Sequence, residues 1–198
     1  AREISGQLPV VVLSVLALSF VLLAMAFRSL VLPLQAIAMN LLSVGAAYGL
    51  IVAVFQWGWG EQVLGFTSEG HIEVFVPLFL FSILFGLSMD YEVFLLARIK
   101  EYWEAGHDNN EAVARGLQRS GRIITSAAAI IIAVFLGFVS GEMLAIKELG
   151  VALAIMVATD ATLVRLLLVP STMTVLGHWN WWAPRPLRKV YERFQLHH

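Results

Sequence analysis

Cysteine is absent from the 198-residue chain, which excludes a disulfide framework and any thiolate metal site. Charge is scarce as well: 14% of residues are Asp, Glu, Lys or Arg, against 59% apolar. A soluble domain lies nearer half apolar and a quarter charged, so the shortage argues against a water-surrounded fold and against a soluble enzyme. The prolines Pro33, Pro77 and Pro170 fall near span ends or first turns, where a missing amide donor costs least. No nucleophile elbow, phosphate loop or metal cluster occurs, and His71, His107, His178, His197 and His198 are scattered without ligand spacing. No metal, cofactor or nucleic-acid partner is expected. Repeats, low-complexity stretches, soluble linkers and a signal peptide are also missing. The chain begins at Ala1 rather than Met, and a piece of a larger polypeptide is expected.

What the sequence has instead is long apolar runs. Five are of a length to cross a bilayer, which takes about 20 helical residues: residues 8–27, 30–55, 73–97, 121–141 and 149–175. Helix is the default for each, because lipid cannot satisfy exposed backbone groups and a barrel would alternate polar with apolar. The expected fold class is therefore an all-α integral membrane protein, a five-helix bundle over residues 1–176 with a tail over 177–198.

Basic residues orient the bundle. Arg28, Arg98, Lys100, Arg115, Arg119, Arg122, Arg185, Arg188, Lys189 and Arg193 all fall on one side of the five spans, leaving Arg2 and Lys147 opposite. The connection over residues 56–73 contains no Lys or Arg. The positive-inside rule then places the N-terminus outside and the C-terminus in the cytoplasm, as an odd number of spans requires, in a cell (inner) membrane. Trp57 and Trp59 at the outer end of the second span, and Trp179, Trp181 and Trp182 at the inner end of the fifth, read as interfacial anchors.

Shorter signals add detail. Residues 108–120, DNNEAVARGLQRS, predict a short amphipathic helix along the cytoplasmic face. Asp108 to Asn110 offer capping oxygens, and Val113, Gly116 and Leu117 make a narrow apolar stripe opposite Arg115 and Arg119. These arginines read first as orientation markers. GAAYG (45–49) and GFVSG (137–141) have the small-residue spacing that lets helices approach closely. Asn40 and Ser43, three apart, share a face expected to point into the bundle.

Three ionisable residues lie well inside spans: Asp90, Asp160 and Arg165. Each costs roughly 2.5–3.5 kcal/mol at a helix centre, so each needs a compensating use. In GLSMDYEVFLLAR (86–98), Asp90 is eight residues before Arg98, hence ~12 Å deeper in the membrane. Gly86 on its face leaves room for a neighbouring helix. Either the acid is fixed packing glue or it titrates as part of a proton relay. Tyr91 lies ~100° and Glu92 ~200° around from Asp90, so Glu92 is expected to serve a different role. Asp160 and Arg165, five apart, fall ~140° apart on a regular helix. They are expected not to pair with each other but each with another helix.

In these motifs the chain resembles the MMPL family of the resistance-nodulation-cell-division (RND) transporter superfamily. The resemblance is carried by GLSMDYEVFLLARIKEYWEAG, NEAVARGLQRSGRIITSAAAIIIAVF and IKELGVALAIMVATDATLVRLLLVPSTMTVLGHWNWW. It implies twelve spans in two similar halves, of which these five would be the eighth to twelfth. It also implies a proton relay of two facing Asp-Tyr pairs, Asp90 and Tyr91 matching the second, with Asp160 and Arg165 as supporting intramembrane charges. The implied partners are the N-terminal membrane half, the extracytoplasmic domains of the same transporter, membrane lipids and a hydrophobic substrate exported by proton antiport. Two other readings share this architecture: an RND-like sterol-sensing or scaffolding module without transport, and a SecD/SecF-like export accessory.

Overall fold

The computed structural model describes residues 2–59, 75–140 and 144–184. The 60–74 connection and the basic tail from 185 onward, with Arg185, Arg188, Lys189 and Arg193, lie outside the described residues. The described chain is helical, with no strand. Helix α1 spans Arg2–Phe27. Helix α2, Val31–Ile51, runs into a π turn, Val52–Gln56. Helix α3 spans Phe75–Glu104 and α4 spans Asn109–Gly137. Helix α5, Leu144–Thr159, continues through a nine-residue π segment, Asp160–Leu168, into α6, Val169–Leu176, so that the three form one last rod.

Among the described residues, four stretches are long and apolar enough to cross a membrane: Val31–Val54, Phe79–Glu104, Asn109–Gly137 and Leu149–Trp181. The apolar part of α1, Val12–Phe27, is shorter. Burial is arranged as hydrocarbon demands. Leu13 and Leu18 on α1, Ile130 and Val134 on α4, and Leu163 and Leu167 on the last rod all face outward. Asn40, Ser88, Glu92, Asp160 and Arg165 are at most 3% exposed. Polar groups go inside because lipid offers them no partner.

The interior has three layers. At the end carrying the α1–α2 and α3–α4 turns, Leu95, Leu96, Ile99, Ala112, Val113, Ile124 and Met173 form one apolar cluster. At the opposite end, Val44, Ala47, Ile51, Leu80, Leu84, Leu153 and Met156 form another. On α2 and α3 the buried polar residues Asn40, Ser88 and Glu92 fall in sequence between these clusters, and Asp160 and Arg165 of the last rod meet them at Ser88. We call the first end the basic end, after Arg28, Arg98, Lys100, Arg115, Arg119 and Arg122.

The expected separate amphipathic helix over 108–120 is instead the opening part of α4. Asp108 caps it, its side chain accepting the Glu111 amide at 3.0 Å, and nothing interrupts the helix before Gly137. Its apolar stripe, Val113, Gly116 and Leu117, packs on protein together with Ala112 rather than lying on lipid, because α3 folds back antiparallel over it.

The close approaches also differ from those expected at GAAYG and GFVSG. A Cβ added at Gly45, Gly49 or Gly137 would meet nothing within 4 Å. Gly116 and Gly150 are the crowded positions: a Cβ at Gly116 would lie 2.9 Å from the Ile99 Cα, and one at Gly150 would lie 2.6 Å from the Phe135 carbonyl oxygen. Small-residue spacing permits contact, but the rotation of each helix decides where it happens.

The chain end holds the basic end together. Beyond α6 a 3-10 turn, Gly177–Trp181, folds inward and buries Asn180. The Asn180 amide donates to the Met173 carbonyl at 2.6 Å and to Asn109 Oδ1 at 3.2 Å. Trp181 Nε1 donates to the same Asn109 oxygen at 3.1 Å, and its ring stacks on Trp103 at 5.0 Å. Ser29 closes the circuit: its hydroxyl donates to the Asn180 carbonyl at 2.6 Å and accepts the Val31 amide at the start of α2. Trp181 is thus a packing residue rather than a lipid anchor, whereas Trp179, 67% exposed, is free for an interfacial role.

Gly116→Val is expected to destabilise the protein by about 1–3 kcal/mol through overpacking against Ile99, while Gly45→Val stays within about 0.5 kcal/mol. Thermal unfolding of the two variants in detergent separates the cases; equal melting would contradict the assigned contact.

Candidate proton-handling site

The polar layer is built from three helices. Pro170 begins its assembly. With no amide hydrogen, and with a ring that excludes the carbonyl four residues back, proline disturbs regular helical bonding just upstream. The last rod meets this by widening: over Asp160–Leu168 the hydrogen bonds close at i→i+5, ending with the Val169 amide on the Val164 carbonyl. In such a widened turn residues five apart come much nearer to one face than in a regular helix.

Asp160 and Arg165 are therefore paired directly, contrary to the expectation from a regular helix. Arg165 Nε donates to Asp160 Oδ2 at 2.7 Å, and both side chains are buried. The ~140° separation assumed a constant 3.6 residues per turn, and the π segment removes it. Arg165 also crosses to α3, as expected for a partner on another helix. Its Nη2 donates to the Ser88 carbonyl and, at 2.6 Å, to the Ser88 hydroxyl. Its guanidinium carbon lies 5.5 Å from the centre of the Tyr91 ring, within cation–π range. Nη1 has no partner.

Ser88 is the junction. Its oxygen accepts from Arg165, and its single proton can go either to Asp160 Oδ1, at 3.0 Å, or to Asn40 Oδ1. Asn40 in turn donates from Nδ2 to Glu92 Oε2 at 2.9 Å. Glu92 Oε1 is buried without a partner. The connected set is Asn40 on α2, Ser88 and Glu92 on α3, and Asp160 and Arg165 on the last rod.

Asp90 lies elsewhere. It is exposed on the side of α3 that also carries exposed Gly86, and a Cβ at Gly86 would meet nothing within 4 Å. Tyr91, half-buried, sits between that open side and the buried network, with Arg165 over its ring. Of the four residues singled out by sequence, the structure brings Tyr91, Asp160 and Arg165 together and leaves Asp90 at the edge. Ser88 and Glu92 were missed, although their spacing of four places them on one face of α3. Asn40 and Ser43 both point inward as expected, at 1% and 2% exposure.

Asn40→Leu removes the donor to Glu92 and an acceptor for Ser88, and should cost about 1–3 kcal/mol of stability. Ser43→Ala deletes a buried hydroxyl that has no partner, and should be neutral or slightly stabilising. Chemical or thermal unfolding of both variants checks the contrast.

Comparison with known proteins identifies this scaffold. The family model described as MMPL family matches residues 2–195. The chain is 48% identical over 188 residues to the mycolic acid-containing lipids exporter MmpL11 of Mycolicibacterium smegmatis, covering 95% of this chain and 20% of that protein. It is 46% identical to the heme uptake protein MmpL11 of Mycobacterium tuberculosis, covering 95% and 19%. It is 45% identical to the putative membrane protein SCO6666 of Streptomyces coelicolor, covering 98% and 27%. The chain thus spans about a fifth to a quarter of the length of these curated relatives. Apolar spans, inward polar groups and the match along nearly the whole chain agree: this is a multi-pass membrane protein that belongs to the MMPL family.

Proposed function

We propose that this chain is the C-terminal membrane half of a transporter that exports lipids or other hydrophobic compounds at the expense of the proton-motive force. In this reading Asp90 binds and releases the proton, Tyr91 links it to the interior, and Asp160 and Arg165 are the supporting charges. The observation that carries it is the position of Tyr91, next to open Asp90 on one side and under the Arg165 guanidinium on the other. A change of charge at Asp90 is felt at Arg165 across one aromatic ring, because intramembrane charges interact through a medium that screens them weakly. Arg165 holds α3 through Ser88 and its own helix through Asp160, so the response can become a movement of one helix against the other. The open side of α3 is then the face covered by the N-terminal half with its own Asp-Tyr pair. The extracytoplasmic domains hold the substrate, and the basic end faces the cytoplasm.

The lipid class of the cargo is supported by the exporter name of one relative. The heme uptake name of another keeps the wider class of hydrophobic compounds in view.

In proteoliposomes of the full-length protein, Asp90→Asn is expected to abolish transport driven by an imposed pH gradient while leaving expression and melting temperature unchanged. Because Asp90 lies outside the hydrogen-bonded network, its replacement should not unfold the bundle. Gradient-driven transport at the wild-type rate would overturn the reading.

A further inference from the structure

The arginines at the start of α4 are used neither by the polar network nor by the Ser29, Asn109, Asn180 and Trp181 contacts at the basic end. Arg115, Arg119 and Arg122 stand at i, i+4 and i+7, hence along one face, and all three are exposed. Like charges at this spacing destabilise a helix, so the stripe calls for a counter-charge. The nearby acids are committed. Glu111 pairs with Arg115 at 2.6 Å, Glu101 with Arg98 at 2.7 Å and Glu104 with Lys100 at 3.6 Å, while Asp108 caps the helix. Among the described residues neither the Arg119 nor the Arg122 guanidinium has a partner. Beyond residue 184 the chain brings Arg185, Arg188, Lys189 and Arg193 against Glu192 alone, so its own tail is a poor source of negative charge.

The stripe borders a concave site. An open pocket of about 400 Å³ lies between α3 and α4, lined by Tyr102, Arg115, Gln118 and Arg119. Its lining offers guanidinium and amide donors and a phenol, the set that suits phosphate oxygens. Depth selects the source of the phosphate. Ile123 opens the apolar run of α4, so Arg119 lies four residues, ~6 Å, outside the hydrocarbon edge and Arg115 ~12 Å outside it. That puts Arg119 at the level of the lipid headgroups, which extend about 5–7 Å beyond the hydrocarbon, with Arg115 just outside them and its long side chain reaching inward.

We propose that Arg119, Arg115, Tyr102 and Gln118 form a binding site for the headgroup of an anionic phospholipid. The acyl chains run along the exposed apolar side chains of α4, including Ile123 and Ile130. The site rests on the membrane assignment and is independent of the transport reading. Basic pockets beside transmembrane helices are suited to such lipids, each arginine contributing on the order of fivefold in affinity.

Native mass spectrometry of the full-length protein with added phosphatidylglycerol, and phosphatidylcholine as the neutral control, tests it. Arg119→Gln should reduce retained phosphatidylglycerol about fivefold, Arg115→Gln with Arg119→Gln should reduce it further, and Arg119→Lys should restore most of it. Phosphatidylcholine adducts and melting temperature should not change. Wild-type retention by Arg119→Gln would overturn the site. An equal loss in Arg98→Gln would overturn it too, by showing diffuse charge attraction. Displacement of the lipid by millimolar inorganic phosphate would overturn the lipid assignment in favour of a soluble phosphate.

Discussion

The bundle depends on one ion pair, Arg165 with Asp160, held at 2.7 Å inside the membrane by a helix that is locally too wide to be α. Two buried charges are expensive to desolvate, and their mutual attraction compensates only when the remaining donors and acceptors are also met. Ser88 does much of this, offering Arg165 both its carbonyl and its hydroxyl. The pair therefore sets the rotation and height of the last rod against α3. A regular helix from Asp160 to Leu168 would swing the arginine away from its own aspartate and leave two lone charges among hydrocarbon.

The second constraint is at the basic end. The clamp made by Ser29, Asn109, Trp103, Asn180 and Trp181 joins α2, α4, α3 and the end of the last rod within a few residues of their turns. Three of these four elements also contribute to the polar layer. The layer is thus bounded on one side by a fixed anchor and an apolar cluster, and on the other by the Leu80–Leu84–Met156 cluster. A helix displaced at the level of Asp160 would pivot about that anchor. Among the described residues, the Asp90 side of α3 is an open face.

Much of this was legible in the sequence. Hydropathy alone pointed to an all-α membrane bundle, because a long apolar run such as Val31–Val54 has no other solution in lipid. The polar residues Asn40, Asp160 and Arg165 marked themselves by their cost. Rotation was read less well. The angle between Asp160 and Arg165 follows from 3.6 residues per turn only if the turn is regular, and the sequence position of Pro170 near a span end does not reveal the π segment upstream of it. Glu92 was set apart from Asp90 correctly in angle, but that same angle carries it inward to Asn40 while Asp90 faces out. Which side of α3 is the interior depends on where α2 and the last rod pack, and no periodicity in α3 itself contains that. The contacts at Gly116 and Gly150 were hidden for the same reason, as was the inward fold of Asn180.

Asp160 and Arg165 form one unit within a single helix. A double-mutant cycle on the unfolding free energy of the full-length protein, with Asp160→Asn, Arg165→Gln and the combined variant, tests it most directly. Each single change should be costly, on the order of 3–5 kcal/mol, because it strands a buried partner. The combined variant should lose less than the sum by at least about 1 kcal/mol. Additivity within about 0.5 kcal/mol would show that the two residues act on separate partners, and the π-segment pairing would fall with it.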